Sequence, residues 1–402
     1  MQGMKKTLKC AVAIWVMVIA CMATKVTAEA AVSNLRQTDA DSSTIVAEWS
    51  GSYAVYGVQL ATDASFSNPK EGAVTTQGVE ISNLNPGSTY YIRIGGGSTK
   101  DDCYANWSSP LQVVTAPAAV TNIRFIDADD KKATIEYSPS VGADIYRVYN
   151  VKNRQLGSEV ANTTGTKCSF TVDKNLINQH IVVAEKKSAS GFTARSQIND
   201  VYVNLLGKKI STKNFGVDAN TAGTKLTMAA KYSGSGVEIE LTNVGGSKYK
   251  KTYKSTKGFN AAASSVTKTV KANKFYKYRV RPYVQTDNGV KNGKWSDYKA
   301  FALPKTTKAT MRSGSRKVNL KWSKLNGTGR IKIQVSTKKN SGYKTVSTIK
   351  KASVTKAAVT KYGKTKFKKG KTYYIRLVPE AKIGKKYVAS SDVYKYWKVK
   401  MN

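Results

Sequence analysis

The chain has 402 residues, 23 of them Tyr, and a formal net charge of +41. That length suits three or four domains. A single His and four Cys leave zinc binding and a Ser–His hydrolase without support, and no Gly-x4-Gly-Lys-Ser/Thr phosphate loop occurs. After the N-terminus no long apolar stretch has a 3.6-residue period. Short alternating runs broken by Gly, Asn, Ser and Asp predict an all-β chain.

The first 28 residues read as an export signal. Lys5, Lys6 and Lys9 precede the apolar run Cys10–Ala23, which is too short for a comfortable membrane span. Val26-Thr27-Ala28 offers a cleavage site, so the mature chain is expected to start near Glu29. The run Val18-Ile-Ala-Cys21 is the rival, because as a lipobox it would place a lipid on Cys21. No second apolar stretch and no LPxTG-type sorting motif follows.

From there one pair of features repeats four times, about 90 residues apart. The first is a short alternating strand ending in an aromatic: Thr44–Trp49, Ala133–Tyr137, Leu226–Tyr232 and Val318–Trp322. The second lies further on: Tyr90–Ile94, His180–Ala184, Tyr276–Val280 and Tyr373–Leu377. The repeats predict modules over 29–117, 118–206, 207–304 and 305–402. The short junctions at Pro117 and Pro304 predict an extended, semi-rigid rod. Within the first repeat, further strands are expected at Val32–Leu35, Tyr56–Leu60, Val79–Leu84 and Leu111–Thr115, with Asn85-Pro-Gly-Ser88 as a turn. Seven such strands suit a Greek-key sandwich.

The run Leu84-Asn-Pro-Gly-Ser-Thr-Tyr90-Tyr-Ile-Arg-Ile94 resembles the sixth-strand motif of fibronectin type III modules. Gly370-Lys-Thr-Tyr373-Tyr-Ile-Arg-Leu377 is similar to its second half. Trp49 and Trp322 match that family's second-strand Trp, and Trp107-Ser108 and Trp295-Ser296 match its Trp-Ser before the last strand. The resemblance covers essentially the whole mature chain and is of the exported bacterial type. It implies four tandem fibronectin type III-like, immunoglobulin-like sandwiches. Tyr90, Tyr276 and Tyr373 would then be corner residues whose hydroxyls bond upstream backbone. Repeat two departs from the pattern: Tyr137 stands for the core Trp, His180 for the corner Tyr, and no Trp-Ser follows. Tyr232 takes the core position in repeat three.

His180 therefore reads as structural rather than catalytic. The clusters Asp39-Ala-Asp41 and Asp127-Ala-Asp129-Asp130 read as turn caps, since each offers too few oxygens for calcium. Cys103 and Cys168, which fall in different repeats, read as unpaired buried thiols; an inter-module bridge is the alternative. No catalytic, metal or cofactor residue is assigned.

Charge is uneven along the chain. Residues 29–117 hold 4 Lys/Arg and 9 Asp/Glu, residues 118–205 hold 11 and 9, and residues 206–402 hold 47 and 7. Such asymmetry points to a polyanionic partner for the basic half. Candidate contributors are Lys385, Lys386, Lys395, Lys398, Lys291 and Lys294. On its strands, alternation predicts an aromatic core face and a solvated Lys face. The expected function is a non-enzymatic, secreted, cell-wall-associated adhesion protein. Its basic modules would hold a teichoic acid-like wall polymer, and its first two modules would face a protein or glycan partner. The alternative is a spacer or carbohydrate-binding array beside extracellular hydrolases.

Overall fold

The computed structural model describes residues 31–152, 155–173, 179–219, 225–232, 235–244, 248–254, 262–269, 274–302, 307–311, 316–351, 353–390 and 396–402. The expected signal segment, the junction at Pro304 and Lys395 lie outside the described residues. Among the described residues there is no α-helix, only strands and two short 3-10 turns.

Module 1 is built from β1 (Ser33–Ala40), β2 (Ile45–Ser50), β3 (Val55–Ala61), β4 (Lys70–Val74), β5 (Gly78–Ile81), β6 (Thr89–Gly97) and β7 (Leu111–Val114). Module 2 comprises β8 (Arg124–Ala128), β9 (Lys132–Glu136), β10 (Ile145–Lys152), β11 (Gln155–Thr163), β12 (Lys167–Thr171), β13 (Gln179–Lys187), β14 (Thr193–Arg195) and β15 (Asn199–Tyr202). Module 3 comprises β16 (Phe215–Ala219), β17 (Lys225–Tyr232), β18 (Gly236–Asn243), β19 (Lys248–Lys254), β20 (Ala262–Thr269), β21 (Phe275–Thr286), β22 (Gly289–Asn292) and β23 (Lys299–Ala302). Module 4 comprises β24 (Thr307–Met311), β25 (Val318–Trp322), β26 (Arg330–Ser336), β27 (Lys344–Ile349), β28 (Lys356–Val359), β29 (Lys361–Tyr362), β30 (Thr365–Lys366), β31 (Thr372–Ile383), β32 (Lys386–Ala389) and β33 (Tyr396–Lys400).

Each module has the same two antiparallel sheets. In module 1 the orders are β1-β2-β5 and β4-β3-β6-β7. The smaller sheet recurs as β12-β9-β8, β16-β17-β20 and β24-β25-β28. The larger recurs around the pairs β10–β13, β18–β21 and β26–β31. This is the strand order of a fibronectin type III-like sandwich, and the chain is a tandem array of such sandwiches. Alternation closes each core. In module 1, Ile45, Ala47 and Trp49 of the small sheet pack on Tyr56, Val58, Tyr90, Ile92 and Ile94 of the large one. Modules 3 and 4 repeat this with Tyr232 and Tyr276, and with Trp322 and Tyr373. In module 2, Tyr137 meets Tyr146 at 4.8 Å between ring centroids, and His180, 2% exposed, meets Phe170 at 4.7 Å.

Tyr90 and Tyr373 bond upstream backbone as corner residues do. Tyr90 Oη accepts from Asn85 N at 3.0 Å and Tyr373 Oη from Lys368 N at 3.2 Å. The Tyr276 ring stacks on Phe301, 5.2 Å away at 15°. Tyr90→Phe and Tyr373→Phe are expected to destabilise their modules by about 1–2 kcal/mol each. That is the lower part of the usual range, because the orphaned N–H groups are only partly buried. Chemical denaturation of the full chain, followed by probes in each module, checks this.

Two compact units divide the chain: 1–125, 134–170 and 179–203 in one, and 126–133, 171–178 and 204–402 in the other. In the first unit, the joint between modules 1 and 2 is packed by Val114, Ala116 and Ala194 with Ala40 and Phe192. Gln112 anchors it, accepting from Ala189 N at 2.6 Å and, through its carbonyl, from Ser190 Oγ at 3.1 Å. In the second unit, the joint between modules 3 and 4 buries Phe275, Ala300, Ala302, Leu325 and Ala381. Ala302 N donates to Ser390 Oγ at 2.9 Å and Phe275 N to Asn326 O at 2.9 Å there.

Candidate functional site

The sixth-strand motif places Tyr90 and Ile92 inward, so Arg93 points out of the sandwich. The same holds for Arg279 on β21 and Arg376 on β31. Each guanidinium has a set environment on the outer face of the larger sheet. Directly across the ladder stand Gln59, Glu240 and Gln334. Arg93 Nε donates to Gln59 Oε1 at 2.7 Å, Arg279 Nε to Glu240 Oε1 at 3.0 Å, and Arg376 Nε to Gln334 Oε1 at 2.9 Å.

Aromatic rings cover these arginines. Arg93 lies 4.3 Å from the Phe66 ring centroid and 4.8 Å from that of Trp107. Arg279 lies 4.3 Å from Trp295 and 4.8 Å from Tyr298, and Arg376 lies 3.9 Å from Tyr343. The Trp of each Trp-Ser pair is therefore a stacking plate for an outward Arg, a cation–π arrangement. The Ser clamps the strand edge. Ser108 N donates to Ile94 O at 2.8 Å while Ser108 Oγ accepts from Ile94 N at 3.1 Å. Ser296 makes the same pair with Val280, and Ser196 with Ala184. Module 2, which lacks a Trp-Ser, thus keeps the serine's role in Ser196. A lone Ser carried no signal by which the sequence could have shown it.

Carboxylates sit between cations on three of these faces. Glu240 accepts from Arg279 and pairs with Lys248 Nζ at 2.9 Å; Glu238 pairs with Arg281 at 2.8 Å. Glu380 pairs with Arg330 and with Lys332, the latter at 2.8 Å. In module 2, Glu185 is held by Arg147 at 2.6 Å and Arg195 at 2.9 Å. Burial pushes the Glu240 and Glu380 carboxyls up, but hydrogen bonds from Lys248 and Arg279, and from Lys332 and Arg330, outweigh it and hold both below the usual range. Hydrogen bonds donated to Glu185 and Glu159 raise Arg147. The solvated Lys face foreseen from alternation is therefore also an aromatic and guanidinium face.

The expected lysines are exposed but spread out. Lys385 and Lys386 lie at the β31–β32 hairpin, and Lys398 lies opposite Tyr374 on β33. Lys386 pairs with Ile383, nine positions along β31 from Tyr374, which is roughly 30 Å at the usual rise per residue. An odd spacing also puts Lys386 and Lys398 on opposite sides of the sheet, so they are separate exposed charges, not one cluster. Lys294 is exposed beside Trp295; Lys291, within the second unit, pairs with Asp127 Oδ1 at 2.5 Å.

The acidic clusters cap turns. Asp41 Oδ1 accepts from Ser43 N at 2.7 Å, and Asp129 Oδ1 accepts from Lys131 N and Lys132 N, both at 2.7 Å. The last two bonds hold Asp129 below the usual carboxylate range. Cys103 and Cys168 are buried free thiols, and burial pushes both up. A cleft of about 500 Å³ opens in module 1 between β4 and β5, lined by Val58, Leu60, Val74, Val79 and Ile81 with Lys70, Glu71 and Glu80. No helix among the described residues is long and apolar enough to cross a membrane.

No protein-family model matches this chain, and no curated protein matches it. Among solved structures it is similar to the crystal structure of the FN1–FN3 domains of chicken CNTN1. The identity is 13% and the TM-score 0.26, over 68% of this chain and 98% of that one. A likeness that low adds nothing to the strand orders above, on which the class rests.

Proposed function

We propose that the protein is an exported, non-enzymatic array of binding modules, associated with the cell wall. Its basic half, 207–402, holds an anionic, teichoic acid-like wall polymer. Its first two modules, 29–206, present a surface to a protein or glycan partner. The observation that carries this reading is where the acids of the basic half go. Residues 206–402 hold 47 Lys/Arg against 7 Asp/Glu, and three of those seven, Glu238, Glu240 and Glu380, are buried against arginines and lysines. The accessible surface is thus still more one-sided than the composition. Exposed lysines spread over tens of ångströms suit a polymer better than a compact anion. A spacer role beside extracellular hydrolases is the second reading, favoured by the buried clusters at the two joints.

Retention on purified cell walls tests the first reading. The mature chain is expected to stay on intact walls at low salt and to be lost from walls stripped of their phosphate polymers. Equal retention on both would refute it.

A further inference from the structure

The outward ladder pairs of module 4 differ from those of module 3, and one of the differences bears on what its outer face can bind. Where Glu240 stands opposite Arg279, the uncharged amide of Gln334 stands opposite Arg376. The five strands of this sheet, β26, β27, β31, β32 and β33, contain one acidic residue, Glu380. It lies four positions along β31 from Arg376, where Arg330 and Lys332 hold it. Among the described residues, the other end of the face carries no acid and is rich in rings. Tyr396 pairs with Arg376 and Lys398 with Tyr374 across the β31–β33 ladder. The Tyr374 and Tyr396 rings meet edge to face, 5.7 Å apart at 69°; Tyr396 is 39% exposed, and Lys339 Nζ lies over its ring, 5.8 Å from the centroid. Tyr343 covers Arg376, whose guanidinium lies 3.9 Å from the Tyr343 ring centroid. Gln334 Nε2 also donates to Thr345 Oγ1 at 3.2 Å, so amide and hydroxyl groups border the rings.

We propose that this end of the sheet is a glycan subsite for a sugar ring bearing an acidic group, as in a hexuronate-containing polysaccharide. The C–H face of a pyranose stacks on Tyr396 and Tyr374. Its acid meets Arg376 and Lys398, and its hydroxyls meet Gln334 and Thr345. Charge complementarity selects an acidic chain, and half-buried tyrosines bordered by hydroxyl and amide groups favour a hydroxyl-rich ring over a bare polyphosphate. The inference rests on the polyanion reading above and adds to it a preference for rings.

The test compares four probes on the full mature chain: an oligogalacturonate, inorganic polyphosphate, a neutral cello-oligosaccharide and single-stranded DNA. The oligogalacturonate is expected to bind more tightly than polyphosphate of equal charge, and the neutral sugar weakly. Tyr396→Ala is expected to weaken oligogalacturonate binding about tenfold and to leave polyphosphate binding unchanged. Tyr396→Phe, which keeps the ring, is expected to retain oligogalacturonate binding. Thermal melting of each variant separates lost binding from lost folding, and Tyr396 is exposed enough for both to fold. Equal binding of oligogalacturonate and polyphosphate, indifferent to Tyr396→Ala, overturns the subsite while the polyanion reading stands. Tyr396-dependent binding of DNA that exceeds that of oligogalacturonate also overturns it, in favour of stacked bases. Failure of every anionic probe to bind overturns both readings.

Discussion

Phe275→Ala is expected to destabilise modules 3 and 4 together, by about 3–5 kcal/mol, the usual cost of removing a fully buried Phe. Phe275 opens β21, but its side chain belongs to the joint. It is 0% exposed and packs with Ala300, Ala302, Leu325 and Ala381, with Val244, Ile383 and Val388 around them. The backbone is committed to the same place, since Phe275 N donates to Asn326 O and Lys274 bridges Asn326 in parallel register. Gly327, at φ +87°, brings the module 4 turn against Phe275 and Val244, and a Cβ there would lie 3.2 Å from Phe275 Cβ. The cavity left by alanine would be walled by both modules, so neither can relax alone. Calorimetry should show one transition for this pair in the parent and an earlier, split transition in the variant. A change confined to module 3 would show that the joint carries no stability.

Gly95→Val is expected to lift the segment around Cys103 off module 1 and expose a thiol that is otherwise inert. Gly57 and Gly95 face each other across the β3–β6 ladder. The 3-10 turn Asp102–Tyr104 lies on the floor they make. A Cβ at Gly95 would fall 2.2 Å from Cys103 O, and one at Gly57 would fall 2.5 Å from the same atom. The obstruction is backbone, which no side-chain rotation relieves, so overpacking should cost about 1–3 kcal/mol or more. Cys103 is 0% exposed, and its Sγ donates to Lys100 O at 3.0 Å. Alkylation of native protein should therefore be slow in the parent and many times faster in Gly95→Val. An unchanged rate would mean that the glycine floor does not hold this segment down.

Period-two alternation made the core legible. Trp49, Tyr137, Tyr232 and Trp322 are all buried where a strand ending in an aromatic puts them, because burial on one sheet face is a property of a short run. The outer face was not legible in that way. The Arg of the sixth-strand motif was visible, but its partners depend on the register between strands far apart in sequence. Gln59 and Arg93 are 34 residues apart, and Glu240 and Arg279 are 39 apart. Phe66, which covers Arg93, comes from a loop at a positive φ of 55° that no periodicity marks. The Trp-Ser pairs mark a strand start in the sequence, while their use as a ring plate and an edge clamp depends on how the strands pair in three dimensions. Module 2 shows the same limit from the other side: Ser196 does the clamping of Ser108 and Ser296 with no Trp beside it. Composition showed the charge of the basic half, but not that half's burial of its glutamates beneath arginines.

The electrostatic anchor is tested most directly by the salt dependence of binding to a purified anionic wall polymer. The parent would be measured beside a variant carrying Lys385→Glu, Lys386→Glu and Lys398→Glu. These three residues are exposed and lie outside the buried cores, so the fold should survive their reversal. The logarithm of the binding constant should fall linearly and steeply with the logarithm of salt concentration, because each lysine seated on the polymer releases counterions. The variant should bind more weakly and with a slope shallower by roughly one for each lysine in contact. Binding that ignores salt, or that survives the triple reversal with an unchanged constant and slope, would contradict an anchor made of surface charge.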